Sequence, residues 1–285
     1  DKDTLFIGTD FGDGSLTESG YPRILRRWKR GTPYRTAEII FEAEPVDMGA
    51  WPMVSQRPEG QHVLVYRALT FYTSNIIYVG ADGKQTKLPL QPSAEYKGLF
   101  QDQVLIMLRE QWTPVVGGPK HGVGSLISIP LAELLAGAIK TVHTLYVPTE
   151  RTSVQRVSAI KKDVYISILD NVRGRLLRLV FDAKKQSWAT HPIALPRNGS
   201  VGLTSGSAYA DDVFIRFTDF TTPDQLFSYS RSMKKPHLLR TLPTRFDAKG
   251  VTVVQNEVKS ADGETIPYFL VRPSQPMSHK KHYVE

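Results

Sequence analysis

The sequence has 285 residues, of which 41% are hydrophobic and 22% charged, and its formal net charge is +8. This composition is typical of a globular protein with a large core, and its apolar runs are far shorter than the ~20 residues that span a bilayer. The sequence contains no cysteine, which excludes disulfides, cysteine-ligated zinc and a thiol nucleophile.

The chain begins inside a strand-like segment, DKDTLFIGTD, without an initiator methionine or the layout of a signal peptide. We therefore expect a piece cut from a longer chain. A soluble, bacterial protein is expected, and the sequence leaves its compartment open between the cytoplasm and the periplasm. The basic residues are spread along the chain, and the densest run, RRWKR at 26–30, holds one aromatic among four cations. Because single-stranded nucleic acids are bound by several interleaved aromatics, we expect neither a nucleic acid nor a membrane as partner.

A strand-like segment recurs about every 50 residues along the chain. Its equivalent positions are Ile24, Ile76, Leu126, Leu176 and Leu226. Each is preceded by a partner segment rich in β-formers, at 4–10, 62–71, 103–110, 163–170 and 212–219. Three of these partners end in an aspartate (Asp10, Asp170, Asp219), whose carboxylate can accept hydrogen bonds from the backbone of a following turn.

Further strand-like segments fill the rest of each period. Third segments follow at 37–43, 141–147, 187–195 and 237–243, and shorter segments precede the partners at 50–55, 95–100, 154–160 and 204–210. One short helix is expected within 130–137. Four antiparallel strands per period are the unit of a β-propeller blade, because only neighbouring copies can cover both apolar faces of such a sheet.

We therefore predict an all-β fold, a β-propeller of about five blades over residues 1–244, with the first blade short by one strand. A β-sandwich is the alternative, since its strands also come every 8–12 residues, but it does not predict the longer period. Residues 245–273 are predicted to form a hairpin around an Asp-Gly turn that leads into another domain, and 274–285 a polar tail. Open blade edges would allow self-association.

Two long motifs carry a resemblance to a known family. TDFGDGSLTESGYPR (9–23), with WKRGT (28–32), resembles the propeller of bacterial prolyl oligopeptidases, which are serine peptidases that cleave after proline in short peptides. NEVKSADGETIPYFLVRP (256–273) is similar to the return of that family's chain into its α/β-hydrolase domain.

The resemblance implies that these five blades are the last five of seven. It also implies that a hydrolase domain, the expected partner, follows and carries the catalytic Ser, Asp and His, so we expect no catalytic residue in this chain, which should be inert alone. The propeller would gate the access of short proline-containing peptides. The family strand that matches 4–10 presents an apolar residue towards the peptide, which makes Phe6 a candidate substrate contact, although a blade-core role is the favoured interpretation.

Other motifs lack the residue order or spacing of the catalytic, phosphate-binding or metal-binding sites that they resemble. GLTSGSA (202–208) lacks the G-x-S-x-G spacing of a nucleophile elbow, and GGPKHGVGS (117–125) lacks the P-loop order, so we expect a flexible hairpin loop there. Asp10, Asp13 and Glu18 lack the EF-hand order, and the histidines, including His279 and His282 in the tail, lack zinc spacing. We expect no metal and no cofactor.

Two further functions are left open by the sequence. A free-standing propeller that binds or scaffolds other proteins is compatible with the fold, and the length of the parent gene would distinguish it from a peptidase. A sugar hydrolase is the weaker option, because it would need paired carboxylates that converge on the propeller axis.

Overall fold

The computed structural model describes residues 3–196 and 198–274, which are almost entirely β-structure. Their strands form five antiparallel sheets, named I to V in chain order, and one separate hairpin. The exceptions are a 3₁₀ turn at Tyr34–Thr36 and the predicted short helix, α1 (Leu131–Leu135). In this part of the chain no helix is long and apolar enough to cross a bilayer.

In every sheet the strands are hydrogen-bonded in the order in which they follow each other along the chain, the meander expected of a propeller blade. Sheet I has three strands: β1 (Thr4–Gly8), β2 (Ile24–Lys29) and β3 (Glu38–Glu42). Sheet II comprises β4 (Gly49–Arg57), β5 (Gly60–Ala68), β6 (Ser74–Val79) and β7 (Gln85–Lys87). Sheet III comprises β8 (Glu95–Phe100), β9 (Gln103–Met107), β10 (Leu126–Pro130) and β11 (His143–Tyr146).

Sheet IV comprises β12 (Thr152–Ala159), β13 (Val164–Asp170), β14 (Arg173–Asp182) and β15 (Ser187–Ile193). Sheet V comprises β16 (Ser200–Gly206), β17 (Asp212–Thr218), β18 (Gln225–Ser230) and β19 (His237–Thr241). The hairpin that follows pairs β20 (Val251–Lys259) with β21 (Thr265–Pro273). The five residues that defined the sequence period all lie in the third strand of a sheet, or in its equivalent β2.

Several predicted strand limits were wrong. The partner strand at 62–71 ends at Ala68, and the one at 103–110 ends at Met107, because the apolar run continues into turn residues. The first strand of sheet V is Ser200–Gly206 rather than 204–210, since a turn closed by the Ala210 N–H to the Ser207 carbonyl begins there. The short polar strand β7 has no apolar pattern and was missed.

The antiparallel order gives each sheet two chemically separate ends. One end, here called the turn end, carries the connection from the second strand to the third, at 69–73, 108–125, 171–172 and 219–224 in sheets II to V. In the three-stranded sheet I the equivalent connection is the one from β1 to β2, at 9–23. The links that leave a last strand for the next sheet, such as 43–48, 88–94 and 147–151, start at the same end. The other end carries the remaining connections.

The chain divides into two compact units, Asp1–Pro148 with Phe181–Trp188, and Thr149–Val180 with Ala189–Glu285. In the first unit, one apolar cluster including Leu25, Val65 and Ile77 joins sheets I and II. A second cluster including Ile106 and Ile127 joins sheets II and III. All five residues of β9 are buried, as expected of a strand with neighbours on both faces.

A buried polar chain adds specificity to the first unit. The Trp188 indole N–H donates to Ser128 Oγ over 3.0 Å, and this hydroxyl donates to Gln103 Oε1 over 2.9 Å. The Trp188 ring also packs on Phe100 and Phe181, with centroid distances of 5.6 and 5.0 Å. Buried polar groups that find partners in only one arrangement favour that arrangement over alternatives.

The second unit is held by an apolar cluster of sheets IV and V that includes Leu176, Leu203 and Phe217. Beside this cluster lies Asp163, which is 1% exposed and accepts no hydrogen bond at either oxygen. Arg178 Nη1 and Arg231 Nη1 are 3.9 and 3.8 Å from its carboxylate. Burial raises the pKa of Asp163, a shift opposed by the two arginines and His191 and increased by Asp211.

This raised pKa gives a testable dependence of stability on pH. The folded state disfavours the ionised form of Asp163. The folded protein therefore loses stability as pH rises from the unfolded pKa of about 3.9 through the higher folded pKa, because Asp163 ionises over this range. Asp163→Asn cannot ionise. We expect Asp163→Asn to be more stable relative to the unsubstituted chain at about pH 7 than at about pH 3.5, which means a larger relative free energy of unfolding at about pH 7 in urea denaturation.

Asp224→Asn is the control of opposite sign. A bidentate hydrogen bond from Arg216, with both distances 2.7 Å, lowers the pKa of this exposed carboxyl. The stability that it contributes is present above the unfolded pKa and is lost as pH falls through the folded value. Asp224→Asn should therefore lose relative stability over the same pH rise; equal pH dependence of the two variants would contradict the assignment for Asp163.

Candidate functional site

The turn end of the first unit carries the most exposed large apolar side chains of the described residues. Their exposure ranges from 61% at Val123 to complete exposure at Val116. The set consists of Val46, Phe71, Tyr72, Val116, Val123 and Val147. Single exposed apolar residues are common, but six on the connections at one end of one unit form a candidate surface for a partner.

The backbone of this turn end is firmly held. The link 43–48 bonds to both neighbours, because Thr17 Oγ1 donates to the Met48 carbonyl and the Met48 N–H donates to the Ala68 carbonyl, both over 3.0 Å. Between sheets II and III, Gln91 Nε2 donates to the Gln111 carbonyl over 3.2 Å. The exposed side chains therefore project from connections with defined positions.

The connection of sheet II presents an aromatic pair. Thr70 Oγ1 accepts hydrogen bonds from the N–H groups of Tyr72 and Thr73, each over 3.1 Å, and so shapes a tight turn. This turn leaves Phe71 78% and Tyr72 88% exposed. Aromatic rings of this kind supply a large contact area at low conformational cost when a partner covers them.

A cleft of about 640 Å³, here called the turn-end cleft, lies beside this pair between sheets II and III. Its walls include four aromatic side chains: Tyr66, Phe71, Tyr72 and Tyr96. Pro92 and Ala94 add apolar surface, and Glu95, Arg109 and Glu110 supply the charged groups. The ring of Trp51 packs on Tyr66 with a centroid distance of 6.1 Å.

The charges in the turn-end cleft are largely balanced. Burial alone would raise the pKa of Glu95, but hydrogen bonds and positive charge from Lys97 and Arg109 outweigh it and lower that pKa. Lys97 Nζ is 2.5 Å from Glu95 Oε2, and Arg109 pairs with Oε1. Burial raises the pKa of Tyr96, so its hydroxyl stays protonated. The cleft can therefore bind apolar, aromatic or proline groups, but it presents no activated nucleophile.

In the second unit, the β20–β21 hairpin lies against the turn ends of sheets IV and V. Arg151 Nη1 is 2.5 Å from Glu257 Oε1, and Gln255 Nε2 donates to the Asn171 carbonyl over 2.8 Å. The Phe220 ring packs on Phe269 with a centroid distance of 5.0 Å. The hairpin is paired with no sheet of the described chain, yet it has a defined seat that the sequence did not reveal.

The structure places Phe6 half-buried on β1, packed against the apolar cluster of sheets I and II. It borders a cavity of about 560 Å³ whose other lining residues include Tyr78 and Gln85. This position separates Phe6 from the turn-end cleft, whose lining does not include it. Its predicted role as a substrate contact stays a prediction.

The motifs that were considered for metal or nucleophilic chemistry have structural partners. Asp10 Oδ1 accepts the Gly12 N–H over 2.8 Å and the Ser15 hydroxyl over 3.0 Å, which lowers the pKa of Asp10. Ser207 Oγ accepts the Tyr209 N–H. Within 3–196 and 198–274 no three His, Asp or Glu side chains group as metal ligands. His279 and His282 lie outside the described residues.

Comparison with known proteins adds the family to this geometry. The model of the "Prolyl oligopeptidase, N-terminal beta-propeller domain" matches residues 19–241. The chain belongs to the prolyl oligopeptidase family. This membership confirms the resemblance and the β-propeller prediction, and it makes sheets I to V propeller blades.

Two bacterial relatives are similar over nearly the whole chain. The "uncharacterized peptidase y4nA" of Sinorhizobium fredii is 30% identical over 277 residues, and the "uncharacterized peptidase RP174" of Rickettsia prowazekii is 25% identical over 281 residues. Each alignment covers 95% of this chain but 38% of the relative. This chain of the prolyl oligopeptidase family thus spans well under half the length of the curated relatives it matches.

Solved structures of larger enzymes contain the same fold. A post-proline cleaving enzyme from Rickettsia typhi has a TM-score of 0.85 and 22% identity, with 97% of this chain and 40% of that chain covered. Oligopeptidase B from Leishmania major has a TM-score of 0.69 and 13% identity, with 98% and 38% covered. At these identities the likeness concerns the fold.

The seat of the hairpin predicts a measurable local stability. Removing the ring of Phe220 removes an aromatic pair worth about 0.5–1.5 kcal/mol beyond its buried area. Phe220→Ala should therefore speed amide hydrogen exchange in 251–273 several-fold. Tyr209→Ala, which removes another exposed ring from the opposite end of sheet V, should leave that exchange unchanged; equal effects would show that the Phe220–Phe269 contact does not hold the hairpin.

Proposed function

We propose that this chain is the gating propeller of a prolyl oligopeptidase-like serine endopeptidase. Its turn end would cover the active site of an α/β-hydrolase domain that carries the Ser-His-Asp triad, and it would admit only short, proline-containing peptides. The observation that carries this proposal is the confinement of the most exposed apolar side chains to the turn end of the first unit. A cover of this kind excludes folded proteins and water from the reacting bond.

The β20–β21 hairpin supports the proposed partner. It follows the last sheet in the chain and is seated on turn ends in the second unit. A domain continuing from this hairpin would start at the turn end of sheets IV and V. The share of the relatives' length that lies outside the match is large enough for such a domain.

The turn-end cleft suits the proposed substrate. Extended peptides that contain proline dock in grooves lined by aromatic rings, because their backbone is already ordered and the rings pack on the pyrrolidine. The turn-end cleft offers four such rings and a neutralised carboxylate. We propose that it contacts residues of the peptide away from the scissile bond, which would add binding energy without taking part in the chemistry.

The first test compares the activity of the isolated chain with that of its parent protein. The parent protein should hydrolyse a chromogenic peptide with proline before the scissile bond, and a serine-directed phosphonate should abolish this activity. The 285-residue chain alone should show no turnover. Phosphonate-sensitive turnover by the chain alone, or a parent gene that ends near residue 285, would contradict the proposal; the latter would favour a free-standing binding module.

A second test concerns the cover. Tyr72 is 88% exposed here, so Tyr72→Ser should leave the unfolding midpoint of the chain unchanged. In the parent protein we expect the same variant to lower kcat/KM for the chromogenic peptide by about tenfold, because a contact made on closure is lost. Tyr209→Ser, at the opposite end of sheet V, is the matched control and should keep full activity. Equal kcat/KM for both variants would count against a cover at the turn end.

A contact between Phe6 and the substrate peptide is a separate proposal within the same function. If Phe6 contacts the peptide, Phe6→Ala should raise KM for the peptide in the parent protein several-fold while Phe6→Leu restores it. If Phe6 only fills the space between sheets I and II, Phe6→Ala should lower the unfolding midpoint and leave KM unchanged.

A further inference from the structure

The connection of sheet III at 108–125 is the longest of the turn-end connections, and its outer part, 111–124, is here called the third-sheet loop. Its base is locked to the body of the unit. Trp112 and His121 exchange two backbone hydrogen bonds of 3.0 and 2.8 Å, and Trp112 packs against the cluster between sheets II and III. His121 is buried, with Nδ1 3.1 Å from Thr144 Oγ1 of β11.

The tip of the third-sheet loop, for which the sequence predicted a flexible hairpin loop, contains a hydrogen-bonded turn. The Gly118 N–H donates to the Val115 carbonyl over 2.9 Å, and Gly117 has a φ of +72°, a conformation that favours glycine. A Cβ on Gly118 would lie 3.0 Å from Val115 Cβ and its carbonyl oxygen. The two glycines therefore specify this turn.

The shaped tip presents apolar side chains to solvent. Val116 is fully exposed and Val123 is 61% exposed, at the head and on the returning arm. The tip lies four residues beyond the Trp112–His121 bridge, so it projects at most about 13 Å at the ~3.3 Å rise of an extended chain. A rigid base under an exposed apolar tip differs from a solvated linker, which would be polar and free to move.

We infer that the third-sheet loop is a docking element for the catalytic domain of the same polypeptide, with the Val115–Val116 tip buried against that domain. The inference rests on the proposed function. The occupant follows from the large part of the relatives' length that lies outside this match. The β20–β21 hairpin follows the last sheet along the chain, so such a domain would continue from it.

The absence of cysteine from all 285 residues makes a single introduced thiol a specific probe. Val116→Cys would be placed in the chain and in the parent protein, and the rate of maleimide labelling of its tryptic peptide would be followed by mass spectrometry. We expect labelling in the parent protein to be at least about tenfold slower, because burial of a side chain of this size stabilises a closed state by more than that factor. Ala81→Cys, an exposed position on the β6–β7 turn at the opposite end of sheet II, should react equally fast in both.

A second thiol at the same end, Tyr72→Cys, separates the possible failures. If Tyr72→Cys is protected in the parent protein and Val116→Cys is not, the catalytic domain covers the turn end without using the third-sheet loop, and the inference is wrong while the proposed function stands. If neither is protected, the proposed function fails as well. Protection of Val116→Cys in the isolated chain that increases with protein concentration would identify a second copy as the occupant and overturn the inference.

Discussion

The burial of both sheet faces, seen in sheets II, III and IV, is the constraint on which the rest of the structure depends. β9 shows it most clearly, since all five of its residues are buried and a single sheet has no way to cover them. The cluster that includes Ile106 and Ile127 covers one face of β9, and the cluster that includes Leu25 and Val65 fills the space between sheets I and II. In these three sheets the faces form the core, so the ends of the sheets are the surfaces that can contact a partner.

The side chains on the connections differ between the two ends of the sheets. In sheet II the far-end connections around Glu59, Asp82 and Lys84 are charged, as solvated turns are. The turn-end connections of sheets II and III instead carry Phe71, Tyr72 and Val116 with their side chains exposed. The propeller fold does not require this asymmetry, so it is information about a partner rather than about folding.

The sequence predicted the repeat because burial on both faces produces apolar runs at a fixed period, and it predicted the family through two long motifs. It missed what depends on side chains meeting in space. The bulge that recurs between the first and second strands of sheets III, IV and V leaves no apolar signature. The turn-end cleft was missed because Phe71 resembled the end of a strand. The turn at the tip of the third-sheet loop was missed because the sequence gives no sign of the hydrogen bond from Gly118 to Val115 that closes it.

The energies of the two candidate contact regions differ in kind. The seat of the hairpin consists of an exposed ion pair, Arg151–Glu257, worth about 0–1 kcal/mol, and one aromatic pair of similar size. Such contacts fix an orientation but provide little free energy for closing a lid. At the turn end of the first unit, each exposed side chain of the size of Phe71 or Val116 would contribute about 1.5–3 kcal/mol on full burial. In the proposed enzyme the hairpin would therefore set the direction in which the catalytic domain leaves the propeller, and the apolar turn end would supply the free energy of closure.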